Sequence, residues 1–568
     1  MPSPTDDVRA ADQELVAHWR TQPAPLLPLL HAFHERDGHL SEGALRAVAA
    51  GLRMPLADLY GTVTFYHHFA REAGGWQRPR VCDGPICRQN GAAELLASLP
   101  GATPMPCAGR CDEPVPVLVG PRALVGRVGA PLVEQPTPLP PPNPLVAQGV
   151  FEECCFAHIR EPQRASLAGY RRTGGYAALA AALAARAPEA VIATLERSGL
   201  AGRGGAGFPT GRKWRAVREA EGGPKTIVCN ADEGEPGCFK DRVLLDHDPH
   251  AVVEGMLLAG FATGAPRGFV YLRYEYPHTE AILERAIAEA RAAGLLGANV
   301  LGSGFDFELY VRRGAGAYIC GEETSLLNSL EGKHPFPRNK PPYPVTHGYE
   351  DTPTVVNNVE TLVSVPPILA RGADWYAGLG RNGQKGTKLV SLSGDVARPG
   401  NYEVPLGLPL RELLDSWAGG PARGLPFKAV TMAGLSGGFL ADLDVTLDEP
   451  ALRAKGSFLG AAGIMVFDSG RDLVDLAHQA MAFFAHESCG KCFPCRIGTQ
   501  RLTERLGGLA GPRDPAEWRR EVADIGATMA ETSACGLGLA APLVAQSLVR
   551  DFGTELDAAL ARRAADRR

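Results

Sequence analysis

The sequence has no apolar run of about 18 residues, the length that a membrane-crossing helix needs. Its best candidate, VVEGMLLAGFATG, is short and carries Glu254. It also lacks a basic field. With 58 Lys and Arg against 63 Asp and Glu the net charge is −5, which argues against a nucleic-acid or anionic-membrane partner. The opening MPSPTDDVRA has no basic stretch followed by an apolar one, so no secretory leader is expected. A cytoplasmic protein with no direct membrane insertion is the expectation.

Disulfide scaffolding is not expected either, although there are 13 cysteines. They are uneven in place: Cys82, Cys87, Cys107 and Cys111 form one quartet, and Cys489, Cys492, Cys495 and Cys535 another. Clustered quartets in a reduced compartment suggest metal centres. Cys154, Cys155, Cys229, Cys238 and Cys320 match no ligand spacing and read as small apolar residues.

A chain of 568 residues is too long for one core and predicts roughly three to five domains. Residues 12–130 read as helices (ADQELVAHW, LLPLLHAFHERDG, SEGALRAVAAGL, the last capped by Ser41) and then a small thioredoxin-like α/β unit. Seven prolines in 131–148 exclude a helix or central strand, so 131–150 reads as an extended linker. Residues 151–380 alternate helical and apolar stretches and read as an α/β domain. Residues 381–468 suggest a β-grasp-like module, with PGNYEVPLG as a turn, and 469–568 a helical bundle. The fold class expected is therefore multidomain α/β.

The quartets differ in spacing. C-x2-C-x2-C followed by Cys535 is a triplet and a distant single. A triplet reaches three irons of a [4Fe–4S] cube and leaves the fourth to another segment, whereas zinc usually takes two short pairs. Gly490 and Gly498 are expected to give the cluster room. The N-terminal C-x4-C and C-x3-C suit a [2Fe–2S] cluster held between two loops, and they also suit a zinc tetrahedron.

LAGRGGAGFPTGRKW matches G-x-G-x-x-G at Gly202, Gly204 and Gly207, but a helix precedes it where a dinucleotide fingerprint needs a strand. The loop still offers backbone N–H groups and the charges of Arg203, Arg212 and Lys213 to a phosphate or flat ring. TIVCNADEGEPG then delivers Asn230, Asp232, Glu233 and Glu235 onto one turn, and GAGAYICGEET sets Glu322 and Glu323 beside a second glycine turn. Acidic pairs raise hydrolysis, but neither segment pairs a nucleophile with a base. Amides and acids beside glycine loops suit a flavin.

GRGGAGFPTGRKW, NADEGEPG, GAGAYICGEET, PTVVNNVET and ESCGKCFPCRIGTQRL…CGLG together resemble the FMN- and NADH-binding flavoprotein subunit of respiratory complex I. Residues 12–130 resemble its small [2Fe–2S] partner, here fused through the proline segment. Such fusions are similar to the β subunit of molybdenum- or tungsten-dependent, NAD-linked formate dehydrogenase, and next to the diaphorase subunit of NAD-reducing hydrogenase. The complete N-terminal quartet leans toward the formate enzyme. The resemblance implies FMN against Gly202, Arg203, Gly204, Gly205, Ala206, Gly207, Lys213, Asn230, Asp232, Glu233, Gly321, Glu322, Asn357 and Asn358. It implies NAD near Phe208, Glu235, Tyr318, Glu323, Lys340 and Tyr343, where this chain has KPPYP for the family's KPPFP.

The implied activity is hydride exchange between NAD and FMN, coupled to one-electron transfer through the clusters to or from a catalytic partner subunit. Glu235 and Glu323 would be its positioning carboxylates, favouring NAD over NADP. A formate dehydrogenase α subunit is the expected partner, with hydrogenase or quinone-reducing complexes as alternatives. A zinc-stapled, non-catalytic scaffold is the rival from another class.

Overall fold

The computed structural model describes residues 4–508 and 514–566. Helices Pro4–Trp19, Leu26–Asp37 and Glu42–Leu52 match the sequence expectation, and Ser41 Oγ accepts the Ala44 N–H at 3.1 Å as its N-cap. A fourth helix, Leu56–Phe65, completes this group. The thioredoxin-like unit follows as one five-stranded sheet. Its order is Thr103–Met105, Arg80–Cys82, Pro116–Val119, Arg122–Val125, Val133–Glu134, with helix Ala92–Ser98 packed on it.

The proline-rich segment corrects the linker expectation. Its start supplies the sheet's edge strand, and its end forms the short helix Pro144–Ala147, capped by the Asn143 side chain. Proline is tolerated in that first turn because its missing N–H has no helical partner there. The segment is also pinned: Thr137 bonds Asp246, Asn143 Nδ2 donates to the Glu403 carbonyl at 2.8 Å, and Leu145 enters the β-grasp core.

The central domain carries a four-stranded parallel sheet ordered Glu308–Arg313, Arg267–Leu272, Thr226–Ala231, Thr354–Asn358. The apolar run noted in the sequence is its core helix, Pro249–Thr263, buried almost all round. Glu254 is tolerated there because its carboxylate accepts the Tyr170 hydroxyl and the backbone N–H groups of Tyr176 and Leu179. The β-grasp-like sheet runs Gly400–Pro405, Thr387–Gly394, Gly463–Asp468, Phe427–Thr431, Phe439–Leu440. PGNYEVPLG is thus largely a strand: its residues pair antiparallel with Thr387–Gly394, and cross-strand packing overrides the local turn composition. Helices Leu473–Glu487, Phe493–Gly507, Pro515–Thr532, Gly536–Ala540, Leu543–Asp551 and Gly553–Asp566 form the last unit. Among the described residues no helix is long and apolar enough to cross a membrane.

One buried ion cluster ties the central and β-grasp domains. The Glu360 carboxylate meets Lys240 Nζ at 3.0 Å, pairs with Lys388 Nζ, and accepts the Leu389 N–H at 2.8 Å. Burial alone would push this carboxyl up in pKa, but the two lysines hold it below its ordinary value. Lys388 is drawn down to about 8 by burial, against the pull of Glu360. Glu360→Ala should strand the buried Lys388 ammonium, while Lys240 keeps Asp241 at 2.6 Å, and cost about 3–5 kcal/mol. Urea unfolding of the holoprotein measures it, and an unchanged midpoint would reject this role.

Candidate functional site

Strand Thr226–Ala231 carries Asn230 as its penultimate residue, and the chain then turns through Asp232, Glu233 and Glu235. These residues face Gly204, Gly205 and Ala206 of the glycine loop and Tyr318, Gly321, Glu322 and Asn358 across a cavity of about 380 Å³. Asn230 joins the two acidic turns: its amide donates to the Gly321 carbonyl at 2.9 Å and its carbonyl accepts the Asp232 N–H at 3.1 Å. Glu233 accepts the N–H groups of Asp241 and Arg242, at the start of helix Lys240–His247, where carboxylates are favoured. Glu235 accepts the Tyr318 hydroxyl and both the hydroxyl and N–H of Ser436. Burial raises Glu233 and Glu235 to about 7, with the hydrogen bonds to each opposing the rise. Asp232 is pushed up by burial as well, and its Oδ2 is buried without a hydrogen-bond partner.

The remaining sequence candidates stand outside the lining. Lys340 pairs with Glu322 at 3.0 Å and with Glu323 at 2.7 Å, and Lys213 reaches Glu323 at 3.3 Å, a charged chain that joins the cavity through Glu322. Glu323 is held below its ordinary pKa: burial opposes this, and Lys213 and Lys340 prevail. Phe208 and Tyr343 are exposed at 47% and 53%, and the Arg212 guanidinium lies over the Phe208 ring, 5.8 Å from its centroid. Gly202 and Gly207 shape the glycine loop; Gly202 N–H bonds the Phe208 carbonyl and Gly207 sits at φ +65°. Asn357 is occupied by Trp214 Nε1 at 2.7 Å. Arg203 is buried and donates to the Tyr376 hydroxyl at 2.7 Å. It fastens the loop to the domain and does not line the cavity.

Sequence reasoning missed Ser436, Phe458 and Gly460, which the β-grasp domain contributes to the same wall, and Leu537 from the C-terminal helices. A glycine-rich AGLSGGF around Ser436 was the one available signal.

The four N-terminal thiols are buried together. Cys107 and Cys111 lie 3.6 Å apart between sulfurs, and the Gly109 N–H points at Cys107 Sγ. Arg273 binds this loop to the acidic turn, donating to the carbonyls of Cys107 and Glu233. Cys489, Cys492, Cys495 and Cys535 line one small recess with Ile319, Pro337 and Leu537. Ile319 and Leu537 also line the main cavity, so one layer of side chains separates the two sites. Gly498 corrects an expectation: a Cβ there would collide with Met529 Sδ, so it serves helix packing and gives the thiols no room. Gly490, at φ +76°, alone of the two lies in the thiol loop.

Four family models match this chain: thioredoxin-like [2Fe-2S] ferredoxin over 12–113, Nuo51 FMN-binding domain over 195–367, SLBB domain over 389–434, and NADH-ubiquinone oxidoreductase-F iron-sulfur binding region over 475–559. The NADP-reducing hydrogenase subunit HndC of Solidesulfovibrio fructosivorans is 45% identical over 398 residues, covering 69% of this chain and 80% of that protein. The α subunit of the NAD-reducing hydrogenase HoxS of Cupriavidus necator is 36% identical over 93% of this chain and 90% of its own. The chain belongs to the family of Nuo51-type FMN-binding oxidoreductase subunits. Within that family it is a fused form, and a crystal structure of an H2-reduced NAD+-reducing [NiFe]-hydrogenase superimposes at TM-score 0.78 with 33% identity, covering 94% of each chain.

This Nuo51-type chain is therefore a diaphorase-type oxidoreductase subunit with [2Fe–2S], FMN-binding and [4Fe–4S] domains. Its residues fit those groups. The cavity has an unpartnered buried carboxylate oxygen at Asp232, and a cradle that a Cβ at Gly204 would narrow, since it would lie 2.8 Å from Asn358 Cβ. Each metal site offers four thiols from two segments.

Glu235 yields a pH test. Its folded pKa of about 7 lies above the ordinary 4.5, so the folded chain keeps a proton that the unfolded chain has released. Its contribution to stability is full below the ordinary value and is lost as pH rises toward 7 and beyond. Glu235→Gln should gain stability relative to wild type across that window, read as thermal midpoints of the holoproteins. Parallel profiles would reject it.

Proposed function

We propose that this chain exchanges electrons between NAD(H) and a catalytic partner subunit. The observation that supports it most is the shared wall of Ile319 and Leu537, which brings the flavin-sized cavity and the [4Fe–4S] thiols within one side-chain layer. NAD carries electrons as a hydride and clusters carry one at a time; bound FMN supplies the conversion between the two.

In this reading the protein's residues hold and orient. Gly204, Gly205 and Ala206 let backbone approach a flat ring, while Asn230, Asp232 and Asn358 offer it hydrogen bonds. Phe208 and Tyr343 receive the dinucleotide's rings, and Lys340 is held by Glu322 and Glu323 beside its path. Glu235, fixed by Tyr318 and Ser436, positions the nicotinamide end. The ionised Glu323 carboxylate disfavours the additional phosphate of NADP by charge repulsion, and Glu235 adds to it once it ionises, above about pH 7.

The finer reading is a formate dehydrogenase, supported by the complete N-terminal cysteine quartet. A hydrogenase reading is supported by the likeness along nearly the whole chain to the HoxS α subunit. Purification under native conditions, followed by assay of NAD+ reduction with formate and with H2, separates them. Cys535→Ser should leave NADH oxidation by ferricyanide near the wild-type rate, faster than with NADPH, and abolish transfer to the co-purified partner. Equal loss of both activities would contradict the assigned order of sites.

A further inference from the structure

Outside both thiol sites, one group of metal-type ligands spans a seam between domains. His67 follows helix Leu56–Phe65, and His486 and Glu487 end helix Leu473–Glu487. His67 Nε2 lies 3.3 Å and His486 Nδ1 3.4 Å from the same carboxylate oxygen, Glu487 Oε1. All three donor atoms lie within 4.8 Å of one another. Both separations exceed the roughly 2.7–3.2 Å of an ordinary N–H···O bond. They match the edge of a ligand tetrahedron, about 3.4 Å for donors about 2.1 Å from a zinc ion.

The scaffold around the group is fixed. Glu487 Oε2 accepts the Tyr318 N–H at 2.9 Å, leaving Oε1 to face the two rings. The His67 backbone N–H donates to the Gly316 carbonyl at 3.1 Å. A metal-ligating carboxylate is usually oriented by such an outer bond. The Glu487 side chain is 3% exposed, whereas those of His67 and His486 are 30% and 55% exposed, so the site has a buried floor and a mouth open to water. The His67 and His486 rings are stacked, with centroids 4.5 Å apart and planes at 22°, and the His486 side chain is the more exposed of the two.

We propose that His67, His486 and Glu487 bind one divalent cation of the zinc class, with water completing the shell, clamping the N-terminal helical segment to the [4Fe–4S] helices. Two imidazoles and a carboxylate suit Zn2+ and exclude hard ions such as Mg2+ by ligand type. The ion is structural at the seam; it carries no electrons.

The test uses the full chain with FMN and iron loaded, so that the cysteines are occupied. Zinc chloride is titrated calorimetrically, with iron content measured before and after, and thermal midpoints are recorded with and without zinc. The wild type should take up one zinc per chain with no loss of iron and melt higher with it. His67→Ala and His486→Ala should each weaken uptake by more than about 10-fold, and His158→Ala, an exposed histidine elsewhere, should behave as wild type. No uptake by the wild type at about 1 mM zinc, or equal uptake by the His67→Ala/His486→Ala double variant, would overturn the proposal. Both histidines are solvent-facing, so their variants are expected to fold, which flavin and iron content checks.

Discussion

Glu360 is the constraint on which the site's geometry depends. Its carboxylate sits at the start of helix Val359–Val363 and neutralises Lys240 from the central domain and Lys388 from the β-grasp strand. Lys240 also reaches Asp241 and the Asn358 side chain, and Lys388 donates to the Arg203 carbonyl. The glycine loop, the Asn358 wall and the helix that receives Glu233 are thus all referred to one buried charge. Removing two ammonium groups and a carboxylate from water is costly and returns stability only when every partner is in place. That requirement makes the cluster a strict registrar of how the two domains meet.

The same logic extends to the other seams. Arg273 holds the Cys107 loop against the Glu233 turn, and Arg242 pairs with Asp112 and Glu113 across the boundary with the thioredoxin-like unit. Arg242 is fully buried, so this boundary is a packed interface rather than a loose tether. The [2Fe–2S] thiols are accordingly set against the turn that floors the flavin-sized cavity. The [4Fe–4S] thiols lie on its other side, behind Ile319 and Leu537. Fusion into one chain fits this arrangement, because the proline-rich segment runs over the assembled surface and is anchored at Thr137, Asn143 and Leu145.

Local signals made much of this legible. Apolar periodicity and capping residues located the helices, and the parallel strands read as apolar runs between them. The thiol quartets and the acidic turns were visible because their residue types are rare at such spacing. What stayed hidden depends on partners far along the chain. The strand in PGNYEVPLG exists because Thr387–Gly394 pairs with it. Ser436 joins the wall because Glu235, some two hundred residues earlier, reaches it. Arg203 looked like a phosphate ligand by charge and position, yet Tyr376 captures its guanidinium. Charge can be read from a sequence, but the direction in which a side chain points is set by packing.

In the proposed function, electrons from the nucleotide reach the clusters only through the cavity between Gly204 and Glu235. Paramagnetic resonance after NADH addition, compared in flavin-stripped and FMN-restored protein, tests it most directly. Cluster signals should be absent without FMN and return when it is restored. Equal cluster reduction without the flavin, or a colourless protein holding zinc in both quartets, would contradict it.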